Sequence, residues 1–254
     1  MVISSILFDL DNTLIATRKG DKLACNKLSE VLWEKYAIPL DVAASVCASF
    51  LRAFRKCPEN TEMGLHEWRR LLWAKALNCY SSLVDEVYQK WVHLRYYYLS
   101  LDTNIKNFLV ELHKHYNLAL ITNGPSHSQW EKINMLNLRS YFDVILVSGD
   151  LRWEKPHHKI FHMACEELHV SPCQCIMVGD KLETDILGGI KAKLAYTVWI
   201  PLSPTESLKK NDPQPDYVIH DVTRLWNILD KSKCLECLNS PDLCDSNSNQ
   251  SDGS

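Results

Sequence analysis

Two carboxylates two residues apart, Asp9 and Asp11, stand directly after a short apolar run and directly before Asn12 and Thr13. Farther along come Thr122-Asn123-Gly124, then Lys155-Pro156, then Gly179-Asp180 with Glu183 and Asp185 close behind. Brought together, these segments supply carboxylates, a hydroxyl and amide pair, and an ammonium. That inventory suits phosphoryl transfer from a small monoester. Carboxylates alone would repel a phosphate dianion; a divalent cation held by Asp9 and Asp180 cancels the repulsion and orients the substrate. The hard oxygen donors favour magnesium. Lys155 adds a point charge on the phosphoryl oxygens, and Thr122 and Asn123 donate hydrogen bonds to them. Asp9 then attacks phosphorus as a nucleophile, and Asp11 protonates the departing alkoxide and later deprotonates a water. Monoester hydrolysis needs accelerations of up to ~10²¹-fold, so covalent, metal and acid–base assistance together match the scale of the task.

Such a set needs elements that carry distant segments to one place. Residues 3–8, rich in Ile and Leu and ending at an acid, read as a buried strand. Residues 17–100 show helical spacing instead. Leu28, Val31, Leu32 and Tyr36 form one stripe, and Val42, Val46, Phe50 and Phe54 a second. Trp68, Leu71, Leu72 and Leu77 form a third, and Val84, Val87, Tyr88, Trp91 and Leu94 a fourth. Beyond residue 100, strands at 118–121, 144–147, 175–178, 196–200 and 217–219 alternate with helices, one of them holding Ile186 and Ile190, and a last helix covers 225–229. The alternation predicts a doubly wound α/β core with a parallel sheet covered on both faces. In such sheets ligands bind beyond the carboxyl ends of the strands. Each chemistry-bearing segment falls at such an end, Lys155 after a short loop. The expected organisation is a core of residues 1–16 and 101–232, a helical cap of 17–100, and a disordered tail of 233–254 whose last part is rich in Ser, Asn and Asp.

The bulk numbers exclude several classes. Among 254 residues, 46% are hydrophobic and the formal net charge is only −3, which argues against nucleic acid or an anionic membrane as a partner. No stretch approaches the roughly 18 apolar residues of a membrane-spanning helix. The apolar start lacks the basic residues of a secretory signal and runs straight into Asp9. Cysteines such as Cys25, Cys47, Cys57, Cys79 and Cys165 are scattered, most in apolar helical contexts. They read as free thiols of a reducing compartment, which places the protein in the cytoplasm. Cys234, Cys237 and Cys244 lack a second Cys or His pair to complete a zinc site. No obligate protein partner is evident.

In order and in kind, Asp9-Leu10-Asp11-Asn12-Thr13, Thr122, Lys155 and the run Gly179-Asp180-Lys181-Leu182-Glu183-Thr184-Asp185 resemble the four motifs of the haloacid dehalogenase superfamily. The resemblance spans about residues 3–229 and includes the position of the helical insertion. It implies that Asp9 is the nucleophile and Asp11 the acid/base. It also implies that magnesium sits on the Asp9 carboxylate, the Asp11 backbone carbonyl and Asp180. Leu10, Asp11, Thr122, Asn123 and Lys155 would contact the phosphate, with Thr13 and Asp185 standing behind the ligands. Longer segments look like the sialic acid 9-phosphate phosphatases within that superfamily: residues 9–15, residues 121–124 with Gln129 and Glu131-Lys132-Ile133, Glu154-Lys155-Pro156 with Ile160-Phe161, residues 177–189, and Thr197-Val198-Trp199-Ile200. That implies a sugar acid phosphate as substrate. Three positions depart from that pattern: Lys193 stands where glycine is usual after a helix, His158 replaces a common proline, and Lys181 adds a charge beside the metal site.

Less specific features read more plainly. Tyr96-Tyr97-Tyr98 and the tryptophans at 33, 68, 73 and 91 are mostly cap core, rather than a sugar platform. Of Arg52, Arg55, Arg69, Arg70 and Arg95, most belong on a solvated helix face, although any could bind a substrate carboxylate bidentately. His157, His158 and His162 read as surface histidines. Three rival functions share part of the pattern. Another sugar phosphatase or a phosphoglucomutase-like transferase would use every core residue. A dehalogenase would need only Asp9, and the presence of Asp11, Thr13 and Asp180 speaks against it. A binding protein on an inherited scaffold would not be expected to keep the full set.

Overall fold

The computed structural model describes residues 2–57 and 63–229. The expected tail and its cysteine cluster lie outside the described residues. Six parallel strands form one sheet in the order β3-β2-β1-β4-β5-β6. They are β1 (Ser5–Phe8), β2 (Asn117–Thr122), β3 (Val144–Val147), β4 (Cys175–Gly179), β5 (Tyr196–Trp199) and β6 (Tyr217–Val218). β1 lies at the centre, with Ser5 opposite Asn117 of β2 on one side and Cys175 of β4 on the other. Its side chains alternate between two buried clusters. Ile6 and Phe8 pack with Phe108, Leu109 and Leu112 of α5 (Thr103–His113), whereas Leu7 packs with Ile160, Phe161 and Ala164 of α7 (His158–Glu167). A strand buried on both faces reads as a continuous apolar run because neither face meets water. The core is the expected doubly wound α/β sheet.

Between β1 and α5 the chain inserts α1 (Thr17–Tyr36), α2 (Leu40–Phe54), α3 (Leu65–Leu77) and α4 (Val84–Leu99). These helices enclose their own core around Leu28, Leu32, Phe50, Trp73 and Trp91. Phe50 and Trp73 stack with ring centroids 3.7 Å apart. α1 stops at Ala37, which takes a left-handed φ of 53°, and Pro39 stands at the N-cap of α2.

The helical face chosen by α3 differs from the stripe expected for it. Arg69, Trp73 and Leu77, spaced four apart, turn inward, and Leu71 faces outward. The buried indole and guanidinium outweigh the aliphatic stripe. Trp33 and Tyr97 are likewise exposed, apart from the aromatic core. Lys193 does adopt a left-handed φ of 56°. The helix expected around Ile186 and Ile190 is a π-helical turn, Leu182–Ile186, followed by the short α8 (Leu187–Lys191), with Ile190 exposed. Among the described residues, no helix is long and apolar enough to cross a membrane.

Candidate active site

The strand order reverses its direction of winding at β1, so a crevice opens beyond the carboxyl end of that strand. Asp9 continues β1 into this crevice, its N–H donating to the Val178 carbonyl at 2.9 Å. The chain then folds back on itself. Asn12 takes a left-handed φ of 67° and donates to the Ile15 carbonyl, while Leu14 and Ile15 donate to the Leu10 carbonyl. Asn tolerates this conformation better than most residues. The turn buries the Leu10 side chain completely, so Leu10 can offer a ligand only its backbone.

Lys155 is the centre of the charge arrangement. Its side chain is 1% exposed, and its Nζ lies 2.6 Å from Asp9 Oδ1 and 2.7 Å from Asp185 Oδ1. It also donates to the Ile121 carbonyl at 2.7 Å. Burial alone would lower the lysine pKa, but Asp185 and Asp9 outweigh it and hold the group above its ordinary value, as an ammonium. Asn123 fixes the backbone beneath it: Nδ2 donates to the Lys155 carbonyl at 2.8 Å, and the Lys155 N–H donates to Asn123 Oδ1 at 3.0 Å. This bracing uses one of the two Nδ2 hydrogens.

Asp9, Asp180 and Asp185 each bring a carboxylate oxygen within 4.8 Å of one another. Thr13 Oγ1 donates to Asp9 Oδ2 at 3.2 Å and orients it. Asp185 receives the Lys181 N–H at 3.0 Å. A Cβ on Gly179 would lie 2.4 Å from the Asp185 carboxylate, so only glycine permits this approach. Asp180 differs from the others: both of its carboxylate oxygens are buried without a hydrogen-bond partner. Trp199 Nε1 fixes its backbone by donating to its carbonyl at 2.9 Å. Burial, then the charges of Asp9 and Asp185, push Asp180 up to about 7. Burial likewise pushes Asp9 up to about 6, with Asp185 adding to it and Lys155 opposing it. An orphaned buried carboxylate beside two others, all hard oxygen donors, is the environment a magnesium-like cation fits.

Asp11 points away from this cluster. Its carboxylate is gripped by Lys132 Nζ at 2.5 and 2.6 Å, by Thr17 Oγ1 at 2.5 Å and by Gln129 Nε2 at 3.0 Å. Partial burial would raise its pKa, but the Lys132 ammonium and these hydrogen bonds prevail and hold it well below the usual carboxylate range. Gln129 Nε2 also donates to Thr122 Oγ1 at 2.8 Å and to the Asn123 carbonyl at 2.6 Å. Nε2 carries two hydrogens, which these three acceptors share.

Gln129 and Lys132 lie three residues apart on α6 (Ser126–Met135), and both are buried. The same helix carries Glu131, which faces the insertion. Arg69 of α3 forks onto Glu131 at 2.8 and 2.6 Å, and its side chain is 1% exposed. Beside it, Arg95 of α4 pairs with Asp21 of α1 at 2.8 Å. Both guanidinium groups lie over the Phe54 and Trp91 rings, at 5.0 to 5.6 Å from the centroids. Arg52, Arg55 and Arg70 are exposed, as expected for a solvated face. Arg69 and Arg95 are the exceptions.

A family model of haloacid dehalogenase-like hydrolases matches residues 6–199. The chain belongs to that family. Among similar family members, human N-acylneuraminate-9-phosphatase is 34% identical, covering 91% of this chain and 96% of that protein. Glyceraldehyde 3-phosphate phosphatase of Pyrococcus furiosus is 29% identical, over 90% and 94%. The magnesium-bound crystal structure of the HAD-hydrolase YfnB from Bacillus subtilis, described as revealing interdomain movement, is 26% identical. It covers 91% of this chain and 100% of its own, with a TM-score of 0.60. The family's hydrolase core and helical cap are the two units seen here.

The structure brings Asp9, Thr122, Asn123, Lys155, Asp180 and Asp185 to one place, with Thr13 beneath Asp9 and Asp11 at its edge. The sequence reading assigned no role to Lys132, Gln129 and Thr17, which fix Asp11. The available signal was a pair of polar residues three apart, on the inward stripe that also holds Ile133 of a helix starting just after the Thr122 loop. A histidine cluster is not part of the site: at the start of α7, His157 stacks on His158, which meets His162 edge-on.

Proposed function

We propose that this protein is a magnesium-dependent phosphoric monoester hydrolase that works through a phosphoaspartyl intermediate on Asp9, with N-acylneuraminate 9-phosphate as its substrate. The observation that carries this reading is the joint contact of Lys155 with Asp9 and Asp185 beside the unpartnered Asp180. The carboxylates of Asp9 and Asp180 and the backbone carbonyl of Asp11 would hold the cation. When bound, it neutralises phosphate charge and polarises the phosphoryl group.

The remaining steps belong to the chain. Lys155 and Thr13 fix the Asp9 carboxylate, and Lys155 keeps a positive charge where the phosphoryl oxygens must sit. Asp9 attacks phosphorus as the ester P–O bond breaks. Asp11 gives a proton to the alkoxide, then takes one from the water that cleaves the acyl phosphate. The Lys132 grip keeps Asp11 ionised in the free enzyme. An arriving phosphate dianion raises a neighbouring carboxyl pKa and competes for the lysine, so substrate binding itself favours the protonated acid that the first step requires. Helices α1–α4 serve as a cap that excludes water and selects the leaving group.

The sugar acid is favoured over a neutral sugar by the 34% identical relative. A cytoplasmic step of sialic acid synthesis fits the buried free thiols. The test is a panel of phosphomonoesters given to the purified chain with magnesium, scored by phosphate release. N-acylneuraminate 9-phosphate should show the highest kcat/KM, and Asp9→Asn should abolish release while the fold survives. Equal turnover of glyceraldehyde 3-phosphate would remove the substrate assignment. Isomer formation without phosphate release would make the protein a transferase, and activity surviving Asp9→Asn would remove the nucleophile.

A further inference from the structure

On the face of the sheet that carries α7, Cys165 and Cys175 bring their Sγ atoms to 3.6 Å from each other. Cys165 lies near the carboxyl end of α7, and Cys175 is the first residue of β4. Both are free thiols, 2% and 0% exposed, set among apolar side chains. The connection between them folds over the pair. Val170 packs on the same cluster and donates its N–H to the Cys165 carbonyl at 3.0 Å. The Cys175 thiol donates to the Ser171 carbonyl at 3.6 Å. None of residues 169–174 is itself buried, so one short, partly exposed stretch stands between the two sulfurs and water. The pair is also remote from the chemistry: Asp180 follows the opposite end of β4, five residues on, or about 16 Å at 3.3 Å per residue.

We propose that Cys165 and Cys175 are a dithiol that hydrogen peroxide converts to a disulfide, locking the end of α7 to the start of β4. Peroxide is small and uncharged, and local opening of a loop with few buried groups is enough to admit it. The Ser171 carbonyl holds the proton of Cys175, so Cys165 reacts first. Its thiol loses a proton to solvent, and the thiolate attacks one peroxide oxygen. The O–O bond breaks, hydroxide leaves and is protonated to water, and Cys165 becomes a sulfenic acid. Cys175 then attacks that sulfur. The S–S bond forms as the S–O bond breaks, and the departing hydroxide leaves as water with the Cys175 proton. Two S–H groups are oxidised to one S–S bond, and one peroxide is reduced to two waters. The sulfurs close from 3.6 Å to about 2.05 Å, a distance that side-chain rotation can cover. A solitary core cysteine would go on to the sulfinic acid, a polar group in an apolar cluster; a thiol in contact captures the first stage and restores an apolar, reducible bond.

The test treats the full-length, folded chain with hydrogen peroxide and follows it by peptide-resolved mass spectrometry. A linked Cys165–Cys175 peptide, two hydrogens lighter, should form and should vanish on adding dithiothreitol. Cys175→Ser should instead leave a sulfenic acid on Cys165, trapped by dimedone. The linked parent should melt about 5 °C above its reduced form, since the bond restrains the unfolded chain. Cys165 and Cys175 still reduced when the exposed Cys79 has reached the sulfonic acid would overturn the proposal. So would a link from Cys175 to the partly exposed Cys173 in place of Cys165. Both of these outcomes are read on the parent protein, so neither depends on a variant folding. A linked form that melts no higher than the reduced one would overturn the lock between α7 and β4.

Discussion

Two lysines divide the work at the residue scale. Lys155 is sealed between Asp9 and Asp185, whereas Lys132 meets an Asp11 whose side chain is 24% exposed. Removing a buried partner leaves uncompensated charge and costs about 3–5 kcal/mol. Lys155→Met should therefore lose both turnover and thermal stability. Lys132→Met should keep most of its stability, because water can reach Asp11, and should still lose about 10²-fold in kcat, the lower range of acid–base contributions. Thermal denaturation beside steady-state rates checks the contrast; equal stability losses would mean that Lys132 is a structural ion and not a positioning residue. Asp9 and Asp180 were legible in the sequence because each directly follows a strand, and Lys155 because it follows β3 after a short loop. Lys132 was not: a lysine inside a helix has no local mark that separates a surface charge from one turned onto a carboxylate. The face of α6 that is buried depends on a neighbour more than a hundred residues away in the chain.

At the element scale, α6 is the part that joins the core to the cap. One side holds Asp11 and Thr122 through Lys132 and Gln129; the other holds Arg69 through Glu131. The apolar spacing of 17–100 was enough to predict four helices, since periodicity reports local burial. It did not reveal that α3 turns Arg69 inward, because a charged residue becomes an inward residue only when its partner arrives from another element. This pair yields a prediction. Arg69→Met alone should destabilise the protein by about 3–5 kcal/mol, by stranding Glu131. Adding Glu131→Met should return most of that loss, since matched apolar groups often replace a buried ion pair without cost. The double variant should regain its fold. A chemical denaturation cycle gives the coupling, and additive losses from the two single variants would show that the pair does not clasp cap to core.

Over the whole molecule, the fold concentrates acids at the point where the sheet changes its winding, and the cost appears in the pH dependence of stability. Asp9 and Asp180 have ordinary values of 3.8 and are raised to about 6 and about 7, chiefly by burial, with Asp185 adding to both and Asp9 adding to Asp180. Between those limits the unfolded chain has released protons that the folded chain still holds. Stability of the metal-free protein must therefore fall as pH rises from about 4 to about 7 and level off above. The other shifted groups of the site act elsewhere. Asp11 is lowered, so its contribution changes only below the ordinary carboxylate range, and Lys155 is raised, so its contribution changes only at strongly alkaline pH. A divalent cation that binds the folded, ionised carboxylates reverses the trend, since a ligand bound only to the folded state stabilises it by mass action. Melting the chelator-treated protein from pH 5 to pH 8, with and without millimolar magnesium, tests this. The metal-free melting temperature should drop from pH 5 to about pH 7, and the gain from magnesium should grow over the same interval and then hold constant. A magnesium gain independent of pH would mean that these two carboxylates do not bind the ion, whereas loss of the gain in Asp180→Asn would locate it on Asp180.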